Sequence, residues 1–293
     1  MASPFYQVIQ GQFVIKGKEP DGDSVRFIAN NPKLYRALKR SYRIKPSTQD
    51  KSVQLRFEGI DAPELHYGSA VQPLGKEARD QLLDWMGFKN IQFTGTTGNR
   101  VTASDPDQIP GAILSTAAET NGRPVSYVVL DAKQLNDGRW VKVDDALLKQ
   151  TLNFRLLEEG LAYYTAYTSA PLSHREFLRE VASGAQDKKL GVWGEDRTSE
   201  FVLNDQDSLS PPDGQLILPK LFRRCTDYLK AVEKGFRGNL GDWLLSTEGT
   251  SRPENDRVVV MDSMELKLSD LLEQRNNRIA FQADLLDIVF VEK

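Results

Sequence analysis

Residues 55–65 read LRFEGIDAPEL: an arginine, an aspartate and two glutamates at the end of an otherwise apolar strand pattern. Leu55 and Phe57 alternate as a half-buried strand requires, but Gly59 permits a bulge or bend, and Pro63 holds Ala62 extended. Arg56 and Asp61 are five positions apart, so an unbroken strand would point them to opposite faces. With the two breaks, Arg56, Asp61 and Glu64 can converge at one strand end. A second acidic pair, Asp21 and Asp23, flanks Gly22 in an earlier turn. Carboxylates from two separate strands plus a backbone carbonyl form a hard-cation site, because Ca²⁺ and Mg²⁺ select oxygen ligands. Residue types alone leave the alternative open, a solvated turn with surface ion pairs.

Outward from this stretch the pattern is strands first, then helices. Phe13 to Lys16 and Ser24 to Ile28 are short β-rich runs around the turn EPDGDS. KLYRALKRSYRIKP after Asn31-Pro32 reads as helical up to Pro46. QPLGKEARDQLLDWMG sets Ala78, Leu82, Leu83 and Met86 on one helical face, with Gly87 as the stop. GRPVSYVVLD and GRWVKVD read as strands, and LNFRLLEEGLAYY and HREFLREVASGAQDKKLGVWG as helices. Segments 96–122 and 133–146 read as long loops. The order predicts an α+β domain, a small barrel with helices packed on it. The polar stretch NDQDSLSPPDGQ, residues 204–215, reads as part of a linker over 198–215. Beyond it lies a smaller mixed α/β module over 216–293, with a helix in LPKLFRRCTDYLKAVEKGF, a strand in DRVVVMD and a final strand in ADLLDIVFVEK.

Bulk properties exclude several classes. The 293 residues are 40% hydrophobic and 27% charged, ordinary for a globular protein with a sizeable core. No stretch reaches the roughly 20 apolar residues of a membrane span, and no signal-peptide pattern is read, so the expectation is cytoplasmic. The only cysteine is Cys225, which removes any intrachain disulfide. A net charge of −3 argues against coating nucleic acid by charge alone. Residues 1–200 carry 26 Lys and Arg against 25 Asp and Glu, whereas residues 201–293 carry 12 against 16. Any polyanion site is therefore a local patch in the first two-thirds.

DGDSVRF, LRFEGIDAPEL, LGKEARDQLL, NGRPVSYVVLD, NFRLLEEGLAYY and HREFLREVASGAQDKKLGVWG occur in one order, and together they resemble the staphylococcal nuclease (thermonuclease) family over residues 10–197. The resemblance implies an OB-fold, a five-stranded barrel capped by helices. It implies a Ca²⁺-dependent endonuclease that hydrolyses DNA and/or RNA, prefers single strands and leaves 3′-phosphate ends. It assigns Asp23, Asp61 and the backbone carbonyl of Ala62 to the metal, Glu64 to the general base, and Arg56 and Arg123 to the scissile phosphate. Arg139 of DGRW competes with Arg123, which is preferred because a strand follows it directly. Ala62 stands where the family usually has threonine, a change that a backbone ligand tolerates. Asn121 replaces a common tyrosine, and Tyr163, Tyr164 and Tyr167 are the nearby aromatic candidates.

The chemistry is coherent. Attack on a phosphodiester gathers negative charge that a divalent cation and two guanidiniums neutralise, and arginine binds phosphate oxygens in pairs without losing its charge. Lys33, Arg36, Arg40 and Arg43 share one face if 31–45 is helical, and would track a nucleic-acid backbone. A solvated surface helix is the alternative for that stretch. Two rival functions remain: a binding module that keeps the groove without catalysis, and an autoinhibited regulatory protein. In the second, the acidic 201–293 module would dock on the basic insertion. His174 is expected to cap or pack and Cys225 to be buried and inert, while His66, two beyond Glu64, is close enough to the site to modulate it without making a metal or base constellation.

Overall fold

The computed structural model describes residues 4–94 and 98–292. Strands β1 (Phe5–Val14), β2 (Arg26–Ala29), β3 (Val53–Gln54), β4 (Arg56–Phe57) and β5 (Ile60–Asp61) precede helix α1 (Gly75–Met86). Then come β6 (Lys89–Thr94), β7 (Arg100–Asp105), β8 (Gln108–Ala118), β9 (Pro124–Val129) and β10 (Trp140–Lys142). Helices α2 (Asp145–Leu148) and α3 (Leu152–Glu158), strands β11 (Tyr163–Tyr164) and β12 (Ala166–Tyr167), and helices α4 (Leu172–Asp187) and α5 (Val192–Glu195) complete this part.

The strands form a nearly closed barrel in the order β3-β2-β1-β8-β9-β4, with β10 added to β1. Long β1 pairs antiparallel with β8 from Gln7↔Ser115 to Val14↔Gln108, and its other edge takes β2. Phe13, Phe27, Phe57, Ile113, Leu114 and Tyr127 are buried on the two faces of this sheet, each at most 1% exposed. At about 25 cal/mol per Å² of apolar surface, each such side chain contributes roughly 1.5–3 kcal/mol. The seven strands exceed the expected five for a local reason. Residues 53–57 are one extended run divided at Leu55, whose N–H still donates to Val25 O at 3.0 Å, and β10 adds a further strand on β1. This is an α+β architecture, with α1, α3 and α4 packed on the barrel. Leu82 and Leu83 of α1 are fully buried, and Gly87 ends the helix at φ 96° with its N–H on the last-turn carbonyls.

Three local expectations are corrected. Residues 31–45 form no α-helix but two 3₁₀ turns, Pro32–Ala37 and Ser41–Arg43, because buried Leu38 is extended and Arg40 is left-handed at φ 59°. The single basic helix face therefore does not exist. Residues 98–122 are not a loop: they carry β7 and all of β8, most of whose residues are buried in the barrel wall; positions 96 and 97 lie outside the described residues. The expected linker is ordered. It holds β13 (Glu200–Val202), which pairs with a later strand, and a 3₁₀ turn at Gln206–Leu209 that Asp205 and Ser208 cap reciprocally and Leu209 buries.

The remaining residues supply α6 (Pro219–Glu233), α7 (Leu240–Ser246), β14 (Arg257–Val260), β15 (Met264–Lys267), β16 (Leu272–Arg275), β17 (Arg278–Phe281) and β18 (Ile288–Phe290). Two pairings join this part to the barrel region: β18 runs parallel to β12, and β17 antiparallel to β13. Leu221, Phe222 and Cys225 of α6 are fully buried, and burial pushes the Cys225 thiol well up. Among the described residues no helix is long and apolar enough to cross a membrane.

One buried carboxyl beside the barrel strands gives a stability prediction. Glu58 is 7% exposed, accepts a long hydrogen bond from Tyr6 Oη, and is pushed up to about 7 by burial, against the opposing hydrogen bond of Tyr6 and the charge of Arg56. The folded state therefore holds this proton more tightly than the unfolded chain does. The stability it contributes is complete below the ordinary carboxylate range and is lost as pH rises toward and through 7. Glu58→Gln is expected to remove that loss. Urea unfolding at pH 5 and 7.5 should show the variant gaining on the order of 3 kcal/mol relative to wild type across the interval. Parallel curves for the two proteins would refute it.

Candidate active site

The bend that the sequence stretch predicted is present. Gly59, at φ +80°, turns the chain between β4 and β5. The parallel register Arg56↔Val125 sets Arg56 at the same barrel end as Arg123, two residues before Val125. Antiparallel Asp61↔Tyr163 fixes Asp61 from the other side. The Asp21–Ser24 turn reaches this end because Ser24 Oγ donates to Leu55 O at 3.0 Å and Phe57 N to Asp23 O at 3.2 Å. Gly22 allows that approach: a Cβ there would stand 2.7 Å from Ala62 Cβ and 2.9 Å from Ala78 Cβ.

Asp21, Asp23, Arg56, Asp61, Glu64 and Arg123 thus line one cleft of about 940 Å³. Ala62 N donates to Asp23 Oδ2 at 3.3 Å, and Leu65 N donates to Asp21 Oδ1 at 3.3 Å. Glu64 is held at its backbone by Gln72, which accepts from Glu64 N at 3.1 Å and donates to Glu64 O at 2.8 Å. Crowded carboxylates repel one another. Burial and the Asp23 and Glu64 charges hold Asp21 well above its ordinary range. Asp23 is pushed up to about 7 by burial and by Asp61 and Glu64. Burial also raises Glu64, with Arg223 opposing.

The two arginines differ in setting. Arg56 lies with its guanidinium 4.4 Å from the centre of the Tyr167 ring. Tyr167 Oη accepts from Lys220 Nζ at 2.9 Å. Burial would raise that phenol, but Lys220 and Arg56 outweigh it and bring it down to about 8. Arg123 is steadied by Glu119, whose Oε1 accepts from Arg123 N at 3.1 Å and from Nε at 3.2 Å. The contact uses the backbone N–H and Nε of Arg123, and its side chain is partly exposed at the cleft. Arg139 is exposed and does not line the cleft. Of the other aromatics, Tyr163 and Tyr164 are buried packing residues. His174 is also internal, with Nδ1 3.0 Å from Tyr127 Oη and Nε2 3.0 Å from Val143 O. His66 lines the cleft.

The basic residues of 31–45 do not gather into one patch. Lys33 and Arg36 belong to the first 3₁₀ turn. Arg40 is 3.3 Å from Glu292, and Arg43 donates to Thr120 O at 2.8 Å, close to the cleft rim at Thr120 and Asn121. The expected docking of acidic module on basic insertion is thus limited to the Arg40–Glu292 pair among the ion pairs seen. The main electrostatic contact has the opposite sign. Arg223 of α6 puts Nη2 2.7 Å and Nη1 3.2 Å from the two Asp61 carboxylate oxygens, and Nη1 also bonds Glu64 Oε1. Arg223 was not singled out from sequence. Its signal was the Lys220, Arg223, Asp227 spacing, which places all three on one face of a helix.

A hard divalent cation fits this donor set in kind, since up to four carboxylates and a backbone carbonyl meet at one barrel end. As they stand, no three His, Cys, Asp or Glu side chains among the described residues are gathered closely enough to hold a metal ion. Asp61 and Glu64 are turned onto the Arg223 guanidinium instead.

Comparison with known proteins is consistent with the geometry. Residues 54–195 match the family model described as Staphylococcal nuclease homologue. Curated relatives include the probable endonuclease LCL3 of Uncinocarpus reesii, 27% identical over 154 residues that make up 51% of this chain and 40% of that protein. The protein of the same name from Coccidioides posadasii is 28% identical over 156 residues, 51% of this chain and 39% of the relative. That of Aspergillus flavus is 26% identical over 160 residues, 53% and 48%. The chain therefore spans less than half the length of these curated relatives.

Proposed function

Through residues 54–195 the chain belongs to the staphylococcal nuclease-like family, and from that premise we propose that it is a nuclease, a hydrolase of phosphodiester bonds in DNA and/or RNA that requires Ca²⁺. The single observation that carries the reading is the convergence of Asp23, Asp61, Glu64, Arg56 and Arg123 on one cleft from four separate segments. The relatives' printed names, probable endonuclease, agree with it.

Asp23, Asp61 and the Ala62 carbonyl would hold the cation, which supplies positive charge beside the phosphate when bound. Arg56 and Arg123 neutralise the equatorial oxygens as attack proceeds, and their fixed guanidinium planes match the phosphate. Glu64 accepts the proton of the attacking water, and its elevated proton affinity suits a base that must gain a proton near neutral pH. Hydrolysis would leave a 3′-phosphate. The cleft is walled on one side by the barrel and on the other by α6, a shape that favours a single strand over a duplex roughly 20 Å across.

The test is cleavage of end-labelled single-stranded DNA and RNA in Ca²⁺, Mg²⁺ and EDTA. Cutting in Ca²⁺ that EDTA abolishes is expected, with loss of at least about 10²-fold on chelation. Tight binding without cutting in any condition would replace the enzyme with a nucleic-acid-binding module.

A further inference from the structure

Helix α6 lies across the cleft in a way that its sequence spacing dictates. Lys220, Arg223 and Asp227 fall on one stripe, and each reaches a residue of the barrel side: Lys220 the Tyr167 hydroxyl, Arg223 the Asp61 and Glu64 carboxylates, and Asp227 the Tyr67 hydroxyl. The opposite face, Leu221, Phe222 and Cys225, is fully buried and fixes the helix from behind. Upstream, Gln72 Nε2 donates to Ile217 O at 2.8 Å, which ties the helix entry to the loop that carries Glu64.

Arg223 is the group that α6 inserts among the carboxylates. Its side chain is 21% exposed, and both of its terminal nitrogens are used on Asp61 and Glu64. A guanidinium and a divalent cation need the same carboxylate oxygens, and two cations held on Asp61 together would repel strongly at such range. We propose that Arg223 is an intramolecular competitor for the metal, so that Ca²⁺ binds only as the α6 stripe releases Asp61 and Glu64. The carboxylate cluster then has two states, one closed on the guanidinium and one closed on the metal, and the calcium level at which the nuclease turns on is set by their difference. The inference rests on the metal-dependent reading of the cleft, but it concerns ion binding and is read without substrate.

The full chain is titrated with Ca²⁺ by calorimetry as wild type, Arg223→Met and Arg223→Lys, with Asp61→Asn as the site control. Arg223→Met is expected to bind Ca²⁺ at least about 10-fold more tightly than wild type, and Arg223→Lys to fall between them because an ammonium lacks the paired fork. Asp61→Asn is expected to abolish binding. Hydrogen exchange of wild type should report faster exchange in residues 219–233 when Ca²⁺ is added. Equal or weaker affinity in a folded Arg223→Met protein overturns the proposal, as does absence of Ca²⁺ binding in every variant. Should Arg223→Met not fold, affinity in Arg223→Lys equal to wild type overturns it. Tighter ion binding without any cleavage would sink the nuclease reading and leave the competition standing. Cleavage with an unchanged calcium affinity would do the reverse.

Discussion

Glu64→Gln is expected to lower the rate of phosphodiester cleavage by about 10²–10⁴-fold, the range assigned to a positioned general base. The substitution is nearly isosteric, and the backbone at this point is fixed by Gln72 on both sides, so the fold should survive. What changes is proton acceptance: an amide oxygen cannot take the proton of the attacking water. Removing one carboxylate also relieves repulsion on Asp21 and Asp23, both of which are raised in part by the Glu64 charge. This relief offsets the loss of the charge paired with Arg223, so thermal stability close to wild type is expected together with the loss of activity. That combination distinguishes a catalytic role from a structural one. Cleavage within about threefold of wild type would remove Glu64 from the mechanism.

Arg123→Ala is expected to cost about 10²–10³-fold in turnover, equivalent to about 2.7–4 kcal/mol of transition-state stabilisation by analogy with loss of one oxyanion donor. Arg123 is the cleaner arginine to test. Its side chain is 35% exposed and is hydrogen-bonded to Glu119, whereas Arg56 is stacked on Tyr167 within a packed group. Arg123→Lys should recover only a small part of the rate, because a single ammonium cannot bind two phosphate oxygens from a planar fork. The loss should fall on turnover more than on substrate affinity, since the contact strengthens as charge develops. Full activity in Arg123→Lys would reduce its role to general electrostatics, and full activity in Arg123→Ala would exclude it.

The barrel and the cleft were legible in the sequence for different reasons than the rest. Strand alternation and the Gly59 and Pro63 breaks are local, so LRFEGIDAPEL foretold a bent strand end and α1 foretold its buried face. Residues 31–45 misled because period and charge fitted a helix, while burial of Leu38 and the left-handed Arg40 split the segment into two 3₁₀ turns. Polar, proline-rich 204–215 looked free, yet its side chains cap one another and Leu209 finds the core. The contact of Arg223 with Asp61 was illegible in kind. It joins residues 162 positions apart, and no periodicity in either segment refers to the other. The acidic balance of residues 201–293 even pointed the wrong way, because net charge says nothing about which single side chain faces the cleft.

Those long separations also bear on how the chain comes together in time. The pairs that bring α6 and β18 onto the barrel span 160 residues for Tyr67–Asp227, 162 for Arg223–Asp61 and 252 for Arg40–Glu292. Loop closure grows costlier with length, and contacts between distant segments form slowly. The turn of Asp21 and Asp23 and the segment of Asp61 and Glu64 are only 39 residues apart at the Ala62–Asp23 contact, so they are expected to meet before α6 arrives with its guanidinium. During that interval the cluster is open, and an ion present in solution meets it first. For a cluster that takes up a metal, the cation present during folding would then count alongside affinity.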